Sequence, residues 1–171
     1  GFFHRRQRDQ GILLCGHDQN RAGNFASVCN RPIKGQGEHD PCRGEVFHFI
    51  LSQMGNLIGQ REDDVLGAAC EKARLKYPLI EDLDDYKKII GKVIKDGRFR
   101  SYFFVKDAEV FQEQEVVDKY GHTKRIDRLI VSEDQVQIID YKTSFEKSDK
   151  DRAQVKEYVF LMKSLYLDKS V

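Results

Sequence analysis

The chain has 171 residues, 40% of them hydrophobic and 33% charged, with a net charge of +1. That length and mixture fit one globular domain with a wet surface. They exclude a helical membrane span, because no apolar run approaches the roughly 20 residues a bilayer requires, and a binder that holds nucleic acid by bulk positive charge alone.

Residues 1–42 carry six of the 13 glycines and two of the three prolines and show no sustained period. They read as a loop-rich or partly disordered lead-in or linker. No charged-then-apolar leader opens the chain; the start at Gly1 and the end directly after a helical pattern point to a piece of a longer protein. Cys15, Cys29, Cys42 and Cys70 form no CxxC pair. Even interleaved with His17 and His39, their spacings are too irregular to favour a zinc site or an iron–sulfur cluster. Free thiols imply a reducing, cytoplasmic setting.

From Arg43 the pattern becomes regular, and residues 43–171 are expected to form the folded domain. Phe47, Ile50, Leu51, Met54 and Ile58 recur at helical spacing behind Gly44. Helical stretches follow at Asp64–Tyr77 and Leu83–Asp96, with Gly97 as a stop for the second. Three β-rich runs come next: Ala108–Val117, Arg125–Val131 and Val136–Lys142, with turns at Asp118–His122 and Ser132–Gln135. A last helix is predicted from about Asp151 to Leu167, with Val155, Val159, Met162 and Tyr166 as its apolar stripe. This order predicts an α/β (α+β) fold: a central mixed sheet with an antiparallel meander, flanked by helices.

The chemistry concentrates in Ile126-Asp127-Arg128-Leu129 and Ile138-Ile139-Asp140-Tyr141-Lys142-Thr143. If Ser132–Gln135 is a four-residue hairpin loop, Val131 pairs with Val136 and Asp127 falls opposite Asp140. Facing Cβ atoms lie about 4.5–5.5 Å apart. Two carboxylates that close repel unless positive charge sits between them, and a hard divalent cation, Mg²⁺ or Mn²⁺, suits such oxygens. Lys142, two residues beyond Asp140, projects from the same strand face. There an ammonium can orient a water or stabilise charge building on a phosphate. The bland alternative is a surface ion pair, but Val136, Ile138 and Ile139 mark a buried strand where charge is costly.

A third acid lies one strand earlier. With a five-residue Asp118–His122 loop, Val117 pairs with Thr123 and Glu113 faces Asp127; a four-residue loop flips the parity. Glu115, on the same face as Glu113, is the fallback. His48 sits one residue off the apolar stripe of its helix, where it is either a structural residue or a neutral metal ligand. Gln154 and Tyr158, four apart, share one helical face beside the apolar stripe. They read either as a half-exposed helix edge or as neutral hydrogen-bonding groups aimed at phosphate or at the lysine.

In order along the chain, Gly44-x-x-x-His48, Glu113, Asp127-Arg128-Leu129, Asp140-Tyr141-Lys142-Thr143 and Gln154-x-x-x-Tyr158 resemble the RecB/AddA-like branch of the PD-(D/E)XK nuclease superfamily, over residues 43–171. The resemblance implies a restriction-endonuclease-like core at the C-terminal end of a UvrD/Rep-type helicase, in DNA recombination and repair. It also implies that His48, Asp127, Asp140 and the backbone carbonyl of Tyr141 ligate Mg²⁺ or Mn²⁺. Lys142 and Glu113 then help activate or place the water, and Gln154 and Tyr158 line the site against DNA or phosphate. The implied activity is metal-dependent DNA hydrolysis, preferably exonucleolytic and on single strands. The implied partners are that DNA and a helicase body in the same longer chain or a partner subunit, with no membrane. The four-cysteine frame of some relatives is missing, so no iron–sulfur cluster is expected. The rival readings are a non-catalytic DNA-binding module on the same fold, a stand-alone phage-type exonuclease, and a structural domain in which the Asp-x-Lys is coincidental.

Overall fold

The computed structural model describes residues 10–16, 25–30, 41–142 and 149–171. Two strands come first, β1 (Gln10–Gly16) and β2 (Phe25–Asn30). Helices α1 (Pro41–Ser52), α2 (Glu62–Lys76), α3 (Leu83–Lys95) and the short α4 (Arg100–Phe103) follow. The meander is β3 (Ala108–Val117), β4 (Thr123–Ser132) and β5 (Val136–Lys142), and α5 (Asp149–Leu165) comes after it. One five-stranded sheet in the order β2-β1-β5-β4-β3 gives a protein of mixed α and β structure. Among the described residues no helix is long and apolar enough to cross a membrane.

The expected mixed sheet is corrected, because among the described residues every ladder is antiparallel. Strands joined by short loops run antiparallel, whereas a parallel neighbour needs a long crossover. The α5 crossover returns the chain to the sheet only at the isolated parallel bridge Gln135↔Ser170. The lead-in is corrected at two stretches: β1 and β2 pair with each other, and β1 pairs with β5 from Leu13↔Lys142 to Gly16↔Ile139. Ile12-Leu13-Leu14 is too short a run to show a period by itself. The positions of His17, His39 and Thr143 lie outside the described residues.

The sheet has a core on each side. Ile130, Ile139 and Tyr141 pack under α1, α2 and α3, while Leu129, Val136 and Ile138 pack against Tyr158, Leu161 and Met162 of α5. Consecutive strand residues feed opposite faces, so β5, covered on both, reads as the near-continuous apolar run Val136-Gln137-Ile138-Ile139. On the first side α2 is oriented by charge. Glu62, Asp63 and Asp64 occupy its first turn and Arg74 and Lys76 its last, matching the helix dipole at both ends.

Helix α1 presents Val46, Phe47, Ile50 and Leu51 to the core and leaves His48 and Phe49 half-buried on its flank. It ends at Ser52, six residues short of the stretch predicted through Ile58, because Arg128 takes over the chain there. The fully buried Arg128 donates to the carbonyls of Met54 (2.8 Å), Gly55 (3.1 Å) and Tyr102 (2.9 Å). Gln112 adds a bond to Met54 O at 2.8 Å. These donors satisfy carbonyls of the loop just past α1 and of the short α4. Arg128 also stacks over the Phe103 ring, 5.0 Å from its centroid.

Arg128→Met keeps the bulk and removes every donor, taking their side-chain donor from the Gly55 and Tyr102 carbonyls and leaving Met54 O with Gln112 alone. We expect a loss of roughly 3 kcal/mol or more in urea unfolding. A loss below about 1 kcal/mol would show that this anchor is not what fixes α1 to β4.

Candidate metal centre

The hairpin geometry follows the register counted from the sequence. Val117 pairs with Thr123 across Asp118–His122, and Val131 pairs with Val136 across the next turn. The β4–β5 ladder is paired as far as Arg128↔Ile139, so Asp127 and Asp140 occupy the next step. The β3–β4 ladder pairs Gln112↔Arg128 and Gln114↔Ile126 and is interrupted between them, at Glu113 and Asp127.

That interruption is the structural event that builds the site. Glu113 has φ of +49°, in the left-handed region, a conformation that costs a non-glycine residue on the order of 1–3 kcal/mol. Strict alternation on β4 would put Ile126 on the same side as Ile130. Instead Ile126 packs with Leu129 against α5. The facing of β4 therefore changes at Asp127, which turns to the α1 side and meets His48, Nδ1 to Oδ1 at 3.3 Å. Its other oxygen, Oδ2, accepts the Tyr141 backbone N–H at 2.7 Å.

His48, Glu113 and Asp127 each bring one ligand atom into a group whose members lie within 4.8 Å of one another. They come from α1, β3 and β4, and the Tyr141 ring stands edge-on to the His48 ring, 6.0 Å away. Glu113 also pairs with Arg125, Oε2 to Nε at 2.8 Å. Glu115 is exposed and lies outside the group.

Asp140 lies outside that group but beside it, close enough for the Asp127 carboxylate to raise its pKa. It is 2% exposed, and its Oδ2 stands 2.7 Å from the Lys142 ammonium. Among the described residues the Lys142 ammonium is the one partner of this buried oxygen. Lys142 in turn donates to Gln154 Oε1 (3.1 Å), Gln154 Nε2 to Tyr158 Oη (2.7 Å), and Tyr158 Oη to the Arg125 carbonyl (2.9 Å). Gln154 and Tyr158 are thus aimed at the lysine, forming a relay from α5 that fixes its amine. Asp151 adds a second carboxylate 3.8 Å from it. The contact made by the Tyr141 backbone is through its N–H rather than through the carbonyl expected as a ligand.

The electrostatics favour a cation. Burial pushes Glu113 up, against the opposing pull of Arg125, and it pushes Asp140 up against Lys142. Burial lowers His48, but the hydrogen bond and charge of Asp127 outweigh it and the net shift is upward. Three groups that prefer an added positive charge fit a divalent ion held by carboxylate oxygens and one imidazole. Comparison with protein-family models, with curated proteins and with solved structures gives no match for the chain.

Arg125, Arg128 and Asp151 are the site residues that sequence reading missed. Arg128 had a signal, an arginine between apolar strand residues. Arg125 and Asp151 stand among many surface charges and had none.

The sign of the His48 effect is testable. Its folded pKa lies above the usual 6.5, so its stabilising charge is fully present below 6.5 and lost as pH rises through the raised value. Without metal, urea stability should fall across that window in the wild type, and the step should vanish in His48→Gln. Mn²⁺ affinity should strengthen over the same window, as the proton leaves the nitrogen. A step that persists in His48→Gln assigns the titration elsewhere.

Proposed function

We propose that the chain is a metal-dependent deoxyribonuclease domain of the PD-(D/E)XK type, with a restriction-endonuclease-like core. The observation that carries this reading is the convergence of His48, Glu113 and Asp127 beside the buried Asp140–Lys142 pair. Those first three residues would hold Mg²⁺ or Mn²⁺, with Asp140 as the neighbouring carboxylate that ties down Lys142. Bound there, such an ion polarises a phosphate and lowers the pKa of its water.

The chain's own groups then divide the work. Lys142, held by Asp140 and Gln154, places a fixed positive charge where a phosphodiester's non-bridging oxygens gain charge. Its pKa is raised despite burial, chiefly by the bond to Asp140, so the amine stays protonated and acts as an electrostatic group rather than as a base. Glu113, a member of the cation group, is placed to help position an attacking water. Tyr141 N–H holds the Asp127 carboxylate in orientation. Gln154 and Tyr158 act through Lys142, and phosphate contact by Gln154 is secondary to that.

A net charge of +1 gives little bulk attraction for DNA. It supports delivery of a strand by another body, such as a helicase in the same polypeptide or a partner subunit, in cytoplasmic DNA repair and recombination. Exonucleolytic action on single strands fits such delivery. The alternative is a DNA-binding module without activity, and the retained Asp140–Lys142 pair counts against it.

Labelled single-stranded DNA should be cut with Mg²⁺ or Mn²⁺ and left whole in excess chelator. Asp140→Ala and Lys142→Ala should each slow cutting at least about 100-fold, with circular dichroism unchanged. Cutting that survives chelation, or full activity in either variant, removes the mechanism.

A further inference from the structure

A cleft of ≈ 740 Å³ opens beside the cation group. One wall is a single face of α1, since Gly44, Glu45, His48, Phe49 and Ser52 all line it. At 1.5 Å rise per residue this face runs about 12 Å, longer than one base step of about 3.4 Å. His48 and Glu113 belong to both the cleft and the cation group, so the two spaces are continuous.

The part of the cleft past His48 has a distinct chemistry. Phe49 and Tyr77 meet edge to face with ring centroids 5.7 Å apart, and both rings are half-buried. The Lys76 ammonium covers them, 4.3 Å from the Phe49 centroid and 5.4 Å from that of Tyr77. Lys76 is exposed and lies near enough to Glu113 to favour its charged form. Glu45, one turn before Phe49 on α1, and Glu115 also line the cleft and discourage phosphates from their part of it.

We propose that Phe49, Tyr77 and Lys76 form a subsite for single-stranded DNA, taking an unpaired base on the two rings and its phosphate on the ammonium. This rests on the nuclease reading for the role of the adjoining cation group, but binding is read without chemistry. An exposed cation–π contact is weaker than base–aromatic stacking, so an entering base displaces Lys76 from the ring face. The long lysine stem then swings the charge to the backbone. Bases in a duplex are already stacked and offer no free face, which selects for single strands.

The test uses the 171-residue chain in excess chelator, with anisotropy of a short labelled oligothymidylate as readout. Phe49→Ala and Tyr77→Ala should each weaken binding at least about fivefold. Phe49→Tyr and Tyr77→Phe, which keep the rings, should bind like the wild type. Lys76→Glu, at an exposed position that does not threaten folding, should weaken binding and flatten the salt dependence by about one ion. A duplex of equal length should compete poorly. Unchanged affinity in both alanine variants and in Lys76→Glu, or equal affinity for duplex, overturns the subsite while leaving metal-dependent cutting intact. Loss of binding in those variants from a protein that never cuts DNA would keep the subsite and remove the nuclease.

Discussion

The site depends on one buried guanidinium. Arg128 ties β4 to the chain just beyond α1 through the carbonyls of Met54 and Gly55, and to the end of α4 through Tyr102. Its neighbour Asp127 and the α1 residue His48 are the groups that must meet. A cation-binding group needs its donors held to a fraction of an ångström, and two elements far apart in sequence do not hold such a tolerance by apolar packing alone. The three directional bonds of Arg128 supply the constraint. Its charge is balanced by carbonyl dipoles rather than by a carboxylate, so it leaves the Asp127 carboxylate to His48 and the Tyr141 N–H.

The second constraint is the broken ladder. A regular β4 would send Asp127 to the α5 side with Leu129 and hide it from His48. Glu113 in the left-handed region and the changed facing of β4 between Ile126 and Arg128 stand at the same level of the ladder, and together they turn both acids towards α1. Such strain persists only where the surroundings over-determine it. Here Gln112 is tied to Met54 O and Gln114 is paired with Ile126, so the residues on either side of Glu113 are both fixed.

Much of the fold was legible because strands and hairpins obey counting rules. The five-residue Asp118–His122 turn and the Ser132–Gln135 turn set both registers, and with them the levels at which Glu113, Asp127 and Asp140 stand along their strands. What counting misses is local departure from the rule. The meeting of Asp127 with His48 rather than with Asp140 depends on a φ value that no periodicity encodes. The end of α1 at Ser52 depends on Arg128, a contact across 74 positions. β1 was invisible because a three-residue apolar run becomes a strand only when β5 offers it an edge.

Stability alone does not explain this set of charges. Asp127, Asp140 and Arg128 are all buried, and Lys142 is mostly so. Replacing such groups by packed apolar residues is commonly neutral or favourable to folding. Burial is expensive for each ion, and the partners found here repay it unevenly: Arg128 has three carbonyl acceptors, while Oδ2 of Asp140 has the Lys142 ammonium alone. A protein selected only to fold would be expected to resolve that imbalance with one substitution. The imbalance lies at the step where two ladders stop pairing, beside three donors within 4.8 Å. An added divalent charge would relieve the repulsion between Asp127 and Asp140 and lower the raised pKa values of Glu113 and Asp140 together, which is why the unresolved charge and the proposed chemistry belong to the same place.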